Sequence, residues 1–74
     1  MRPIVCNPKI LGGKPVIEGT RMSVEHILGL IGAGMTAKDI VAEHPVLSED
    51  EVLAAVRYAR EALQNDIVLD SRGV

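Results

Sequence analysis

The sequence has almost no aromatic residues: Tyr58 stands alone, and neither Trp nor Phe occurs in its 74 residues. Aromatic side chains bury the largest areas in protein cores, so this core must be built from aliphatic residues. A chain this short also buries only about 60% of the surface that its unfolded form exposes. We therefore expect one domain of modest stability that a second copy or another partner would stabilise.

Cysteine, histidine and long apolar runs are also scarce. The single cysteine, Cys6, cannot form an intramolecular disulfide, and with two distant histidines it makes no zinc-binding pattern. We interpret Cys6 as a small, half-buried apolar residue rather than a nucleophile. No apolar run approaches the length of a membrane span, and no signal peptide is recognisable. These absences predict a cytoplasmic protein with no metal, no cofactor and no membrane contact.

The charges are distributed unevenly along the chain. The net charge is −2, but residues 1–22 carry +3 and residues 23–74 carry −5. Such an asymmetry separates a basic amino-terminal segment from an acidic remainder.

Three helix starts of similar design follow residue 22. Ser23, Thr36 and Ser48 are each a suitable N-cap. Asp39 and Glu51 stand three residues after the second and third caps, where a capping box needs an acidic side chain. With the apolar spacing that follows each cap, the pattern predicts helices over 24–32, 37–44 and 49–64. Val24, Ile27, Leu28 and Ile31 form the apolar stripe of the first helix.

The segment before Ser23 has a different pattern. Short β-branched stretches are interrupted by Asn7-Pro8, Gly12-Gly13 and Gly19, which predicts one or two short strands with a glycine turn and no helix. We divide the chain into an amino-terminal β segment or basic arm (1–22), a tri-helical domain (23–64) and an extended tail (65–74).

Enzyme and nucleotide-binding chemistry find little support. Pro15 follows Lys14, so "GGKP" lacks the amide and the helix start of a phosphate-binding P-loop. His26 and His44 fall on different predicted helices without a neighbouring ligand or nucleophile. We therefore predict that the protein is not an enzyme.

The second and third helices are arranged as in a helix-turn-helix unit. A short capped helix, the connection "HPVL" and a longer helix follow one another, with the first helix packing across the pair. The third helix begins with Glu49, Asp50 and Glu51, which would repel phosphates but complement the helix dipole. The same order of helices also occurs as a plain structural scaffold, and charge favours that alternative.

Six cations are the candidates for contacts with DNA phosphates, whether as an arm or as a ribbon. They are Arg2, Lys9, Lys14, Arg21, Arg57 and Arg60. Charge alone leaves two interpretations of the amino-terminal four equally open, phosphate contact or ordinary solvated charge. The pair Arg57 and Glu61 also has the spacing of a surface ion pair within a helix.

The stretch "LGGKPVIEGTRMSVEHILGLIGAGMTAKDIVAEHPVLSEDEVLAAVRYA" is similar to a bacterial family of small VapB-type antitoxin-like proteins, long labelled a domain of unknown function. The resemblance rests on the motif G-G-K-P-x-I-x-G-T-R, matched by residues 12–21. It implies a mainly α fold: a three-helix, homeodomain-like helix-turn-helix with a short amino-terminal β segment. It further implies an antitoxin that neutralises a PIN-like toxin and binds operator DNA. The alternative is a protein-interaction module with no DNA role.

The motif also suggests how two copies would meet. A two-stranded ribbon is marginal alone and its edge seeks a partner, so we hypothesise a homodimer formed by pairing of this segment. The predicted interface residues are Val16, Ile17, Thr20 and Met22. Thr20 and Arg21 have a second interpretation, in which they fix the strand onto the first helix through local hydrogen bonds.

Overall fold

A computed structural model describes residues 1–67 of the chain. Its elements are listed in chain order: strand β1 Ile4–Cys6, a 3-10 turn Leu11–Gly13, strand β2 Pro15–Ile17, and helices α1 Val24–Gly32, α2 Ala37–Glu43 and α3 Glu49–Ile67. The prediction of a mainly helical chain with a short amino-terminal β segment is confirmed. The predicted extended tail was wrong for residues 65–67, which continue α3, and its remainder (68–74) lies outside the described residues.

The helices begin where the sequence predicted because each cap forms its hydrogen bonds. The Ser23 hydroxyl accepts from a first-turn amide 2.9 Å away. Thr36 and Asp39 exchange two hydrogen bonds of 3.1 and 3.0 Å, and Ser48 and Glu51 exchange two of 3.2 and 3.0 Å. These reciprocal pairs satisfy amides that the first turn of a helix leaves without a partner.

The strands β1 and β2 form a two-stranded antiparallel sheet in which Ile4 lies opposite Ile17 and Cys6 opposite Pro15. The 3-10 turn between them corrects the expectation that this segment contains no helical residues. Gly12 and Gly13 have positive φ angles of 66° and 87°, as the predicted glycine turn requires. Cys6 is exposed rather than half-buried.

The core lies between β2 and the three helices, and α3 contacts both α1 and α2. Its buried side chains are aliphatic, as the lack of aromatic residues predicted: Ile17, Val24, Ile27, Ile40, Leu47, Val52 and Ala55. Ile31, predicted on the inner stripe of α1, is exposed instead, because it lies at the carboxyl end of the helix. None of the helices within residues 1–67 is long and apolar enough to cross a membrane.

Candidate functional site

The motif over residues 12–21 forms one wall of a groove. The 3-10 turn and the loop after β2 bring two cations of the motif, Lys14 and Arg21, against the outer face of α1. We call this open space of about 790 Å³ the amino-terminal groove. It is lined by Leu11, Lys14, Arg21, Met22, Ser23, Glu25, His26, Gly29 and Leu30.

Leu11 lies at the edge of this groove in an unusual backbone conformation. Its φ angle is +51°, in the left-handed region that bulky residues rarely adopt, and its side chain is exposed. Backbone strain of this kind persists where the surrounding structure enforces it, and it concentrates at binding sites. The turn therefore presents an apolar side chain to the groove at a cost in stability.

The charged residues of the groove are mostly solvated. The Lys14 ammonium donates to the Glu25 carboxylate at 2.6 Å, and both side chains are exposed. This hydrogen bond, together with the positive charge of Lys14, lowers the pKa of Glu25. Arg21 is exposed and has no ion-pair partner among the side chains described up to residue 64. Arg21 is thus the cation best placed to meet a ligand.

His26 and His44, which lie 18 residues apart in the sequence, are neighbours in the fold. His26 stands in the first turn of α1 and His44 at the end of α2, with ring centroids 6.1 Å apart in an edge-to-face arrangement. Among the side chains described, up to residue 64, no cluster of three or more His, Cys, Asp or Glu is placed to hold a metal ion. Of the two histidines, His26 lines the amino-terminal groove.

Arg2, the first predicted DNA-contacting residue, binds the start of α3 instead. Its guanidinium donates to both carboxylate oxygens of Glu51, at 2.9 and 3.0 Å, and also to the Val46 carbonyl oxygen. Its backbone amide donates to Glu51 as well, at 3.1 Å. The hydrogen bonds from Arg2 outweigh the effect of burial and, with those from the Ser48 and Arg2 amides, lower the pKa of Glu51 to about 2.

The other predicted cations do not gather on one surface. Lys9 lies exposed in the loop after β1, where its amide donates to the Asn7 side chain. Arg57 and Arg60 are exposed on α3, and Arg60 borders a second groove. Of the six, only Lys14 and Arg21 share the amino-terminal groove.

The four predicted dimer residues all have partners within their own chain. Val16 and Ile17 are fully buried, and Met22 packs partly buried against the core. The Thr20 hydroxyl donates to the Ile17 carbonyl at 2.8 Å and accepts from the Met22 amide at 3.0 Å, which agrees with local fixing of the strand. Val16 also forms a bridge to Ser23 on the side opposite β1. Val16, Ile17 and Thr20 are thus buried within their own chain, and Met22 keeps part of its surface exposed.

A second groove runs between α1 and α3. We call it the α1/α3 groove; it has a volume of about 400 Å³. Its lining is Leu28, Val56, Ala59, Arg60, Leu63 and Gln64. Leu63 is 56% exposed, and Leu53 on the outer surface of α3 is 47% exposed.

A family model described as "Protein of unknown function (DUF433)" matches residues 4–59, from the start of β1 into α3. The chain belongs to this family. It is also similar to "Uncharacterized protein y4eO" of Sinorhizobium fredii (strain NBRC 101917 / NGR234), with 32% identity over 56 residues. This match covers 76% of the chain and 25% of the relative, so the chain spans about a quarter of that protein's length. No solved structure matches the chain.

The DUF433 match covers the two grooves unequally. It contains the whole lining of the amino-terminal groove, from Leu11 to Leu30. It ends at residue 59, before Arg60, Leu63 and Gln64 of the α1/α3 groove. The amino-terminal groove is therefore the better candidate for a site that members of the family share.

Six residues that line the amino-terminal groove were not among the predicted functional residues: Leu11, Ser23, Glu25, His26, Gly29 and Leu30. The sequence contains a signal for Leu30, because this residue is apolar but lies off the predicted inner stripe of its helix. Leu11 and His26 had none, because their position depends on how the 3-10 turn packs on α1 and on where α2 ends.

Proposed function

We propose that this chain is a non-enzymatic, antitoxin-like binding module whose amino-terminal groove holds an acidic segment of a protein partner. For the antitoxin-like family that it resembles, this partner is a PIN-like toxin. The observation that carries the proposal is the composition of the groove. Lys14, Arg21 and His26 line it together with the apolar side chains of Leu11, Met22 and Leu30.

A mixed lining of this kind suits a protein ligand better than a nucleic acid. Leu11, Met22 and Leu30 offer apolar contacts, whereas surfaces that bind DNA backbone are dominated by cations. Lys14 is already hydrogen-bonded to Glu25, so a ligand carboxylate would meet chiefly Arg21. An arginine can bind a carboxylate through two parallel hydrogen bonds, which favours an acidic side chain as the ligand group.

DNA binding is the second candidate, and one observation favours it. Arg57 and Arg60 are exposed on α3, which would be the recognition helix if α2, the connection and α3 formed a homeodomain-like helix-turn-helix. Neither arginine has an ion-pair partner among the side chains described up to residue 64. Glu49 and Asp50 oppose it, because both are exposed at the end of α3 that would enter the major groove. The third carboxylate there, Glu51, is neutralised by Arg2.

The protein-binding proposal is tested with the product of the adjacent gene. The two proteins are co-expressed and co-purified, and their affinity is measured by isothermal titration calorimetry. Arg21→Glu should weaken binding by about tenfold or more, because a like charge then faces the acidic segment. The matched control is Lys38→Glu, an equal change of charge at an exposed position outside the groove. Failure to form a complex, or equal affinity of Arg21→Glu and wild type, would overturn the proposal.

The DNA candidate is tested by fluorescence anisotropy with the DNA upstream of the gene at two salt concentrations. Binding through phosphates loses roughly one log unit of affinity per log of salt for each phosphate neutralised. Replacing Arg57 and Arg60 by Ala should then weaken binding and reduce this slope. Absence of binding at low salt would leave the protein partner as the single function of the module.

A further inference from the structure

The outer surface of α3 carries an apolar stripe that extends the α1/α3 groove. Leu53, Val56, Arg60 and Leu63 follow one another at intervals of three, four and three residues along the helix. This alternation is the spacing of the contact line between two paired helices. Leu53 and Leu63 are both about half exposed, and Val56 is partly buried beside the groove. An isolated exposed leucine needs no explanation, but a row of them bordering an apolar groove marks an interaction surface.

We infer that this stripe binds a second copy of the same chain, with the two α3 helices antiparallel about a two-fold axis. The inference is independent of the protein-binding proposal, because the stripe and the amino-terminal groove share no residue. A two-fold contact must be self-complementary. If one residue of the first copy contacts another residue of the second copy, the same two residues also contact each other with the copies exchanged. The charges along α3 are complementary only when the two α3 helices run antiparallel.

An antiparallel alignment pairs unlike charges. With Leu53 of one copy opposite Val56 of the second copy, the symmetry places Glu49 opposite Arg60 at both ends of the contact. All of these residues lie on α3, and Glu49 and Arg60 are exposed. The apolar centre is thus flanked by two identical ion pairs, which fix the alignment of the helices.

The same alignment also covers apolar surface beyond the ion pairs. Leu63 lies about one turn beyond Arg60 on α3 and is 56% exposed, and Val46 in the connection ahead of α3 is 51% exposed. A parallel alignment would instead place Arg60 against Arg60 and Glu49 against Glu49. Like charges in register across an interface cost affinity, so the parallel pair is excluded.

The experiment is sedimentation equilibrium on the full chain from low micromolar to near-millimolar concentration. The wild type should sediment as a reversible dimer at the upper end. Arg60→Glu and Glu49→Arg should each weaken dimerisation by about tenfold or more, because each creates two like-charge contacts. The double variant, Glu49→Arg with Arg60→Glu, restores both pairs with reversed polarity and should dimerise like the wild type.

Two controls separate pairing from folding. Lys38→Glu makes a similar charge change on α2, away from the stripe, and should leave dimerisation unchanged. Far-UV circular dichroism of each variant shows whether α3 is intact, since Glu49→Arg places a cation at a helix amino terminus. The double variant contains the same local change, so its recovery can come only from the restored pairs. A wild type that stays monomeric would overturn the inference, whether another segment covers the stripe or the stripe stays uncovered. A double variant that does not recover dimerisation would also overturn it.

Discussion

At the scale of single residues, one carboxylate connects the amino terminus to the longest helix. Glu51 is 4% exposed, yet it carries charge because Arg2 donates two hydrogen bonds from its guanidinium and one from its backbone amide. The Glu51 side chain also caps α3 by accepting from the Ser48 amide. Burying a charge is tolerated when hydrogen bonds replace the lost water. Arg2 therefore has a structural role in this fold.

The stability of the protein should depend on pH through Glu51. Its pKa is lowered from 4.5 to about 2 in the folded chain, so the unfolded chain binds the proton more tightly. The stabilisation is complete above the unfolded value and is lost as the pH falls from about 4.5 through about 2. The shift corresponds to at most about 3 kcal/mol, which screening through the partly exposed Arg2 reduces to about 2 kcal/mol.

The variant Glu51→Gln isolates this effect, because glutamine keeps the shape and can still cap the helix. Chemical denaturation at neutral pH should show a free energy of unfolding lower by about 2 kcal/mol, and the difference should shrink towards zero in strong acid. Asp50→Asn, an exposed change in the same turn, is the control and should follow the wild type. An equal deficit of Glu51→Gln at acid and neutral pH would show that the charge is not responsible.

At the scale of elements, the end of α1 depends on two glycines with opposite requirements. Gly34 has a φ angle of +99°, whereas Gly32 is the last residue of the helix, and an added Cβ would meet no atom within 4 Å at either position. We therefore expect Gly34→Ala to lower the free energy of unfolding by about 1 kcal/mol through backbone strain. Gly32→Ala should raise it by about 0.5 kcal/mol by restricting the unfolded chain.

Thermal denaturation of the two glycine variants side by side checks this expectation. Both variants add one methyl group near the carboxyl end of α1, so a difference in sign reports backbone conformation alone. Destabilisation of equal size by both would indicate a steric conflict that the structure does not contain.

The helices were predictable because their signals are local. Thr36 and Asp39 identify one start within four residues of sequence, and Pro45 identifies the end of the same helix to within one residue. Contacts across the chain have no such signal. The pairing of Arg2 with Glu51 joins residues 49 positions apart, and it depends on how the amino terminus crosses α3.

The amino-terminal groove was predictable in part for the same reason. Lys14 and Arg21 were selected from the sequence as cations of the basic amino-terminal segment, and both line the groove. That Val16 and Ile17 face inward could not be read from a strand of three residues, which is too short to show an alternating pattern. Their burial was decided by the packing of β2 on α1.

At the scale of the whole molecule, a core of seven mutually packed buried aliphatic residues must hold together a ribbon and three helices. A core in a domain of this size rarely supplies more than about 3–5 kcal/mol of stability. The margin is small enough that a single cavity should decide whether the chain folds.

Ile27→Ala tests this margin, because Ile27 is fully buried at the centre of the core. Truncation of a buried isoleucine costs about 2–5 kcal/mol, so the variant should be largely unfolded at low concentration by circular dichroism. Ile31→Ala removes the same atoms one turn later on α1, where the side chain is 36% exposed, and should cost about 1 kcal/mol or less. If Ile27→Ala melted at the temperature of Ile31→Ala, the stability of the chain would have to come from outside this core, with contacts between copies the first place to look.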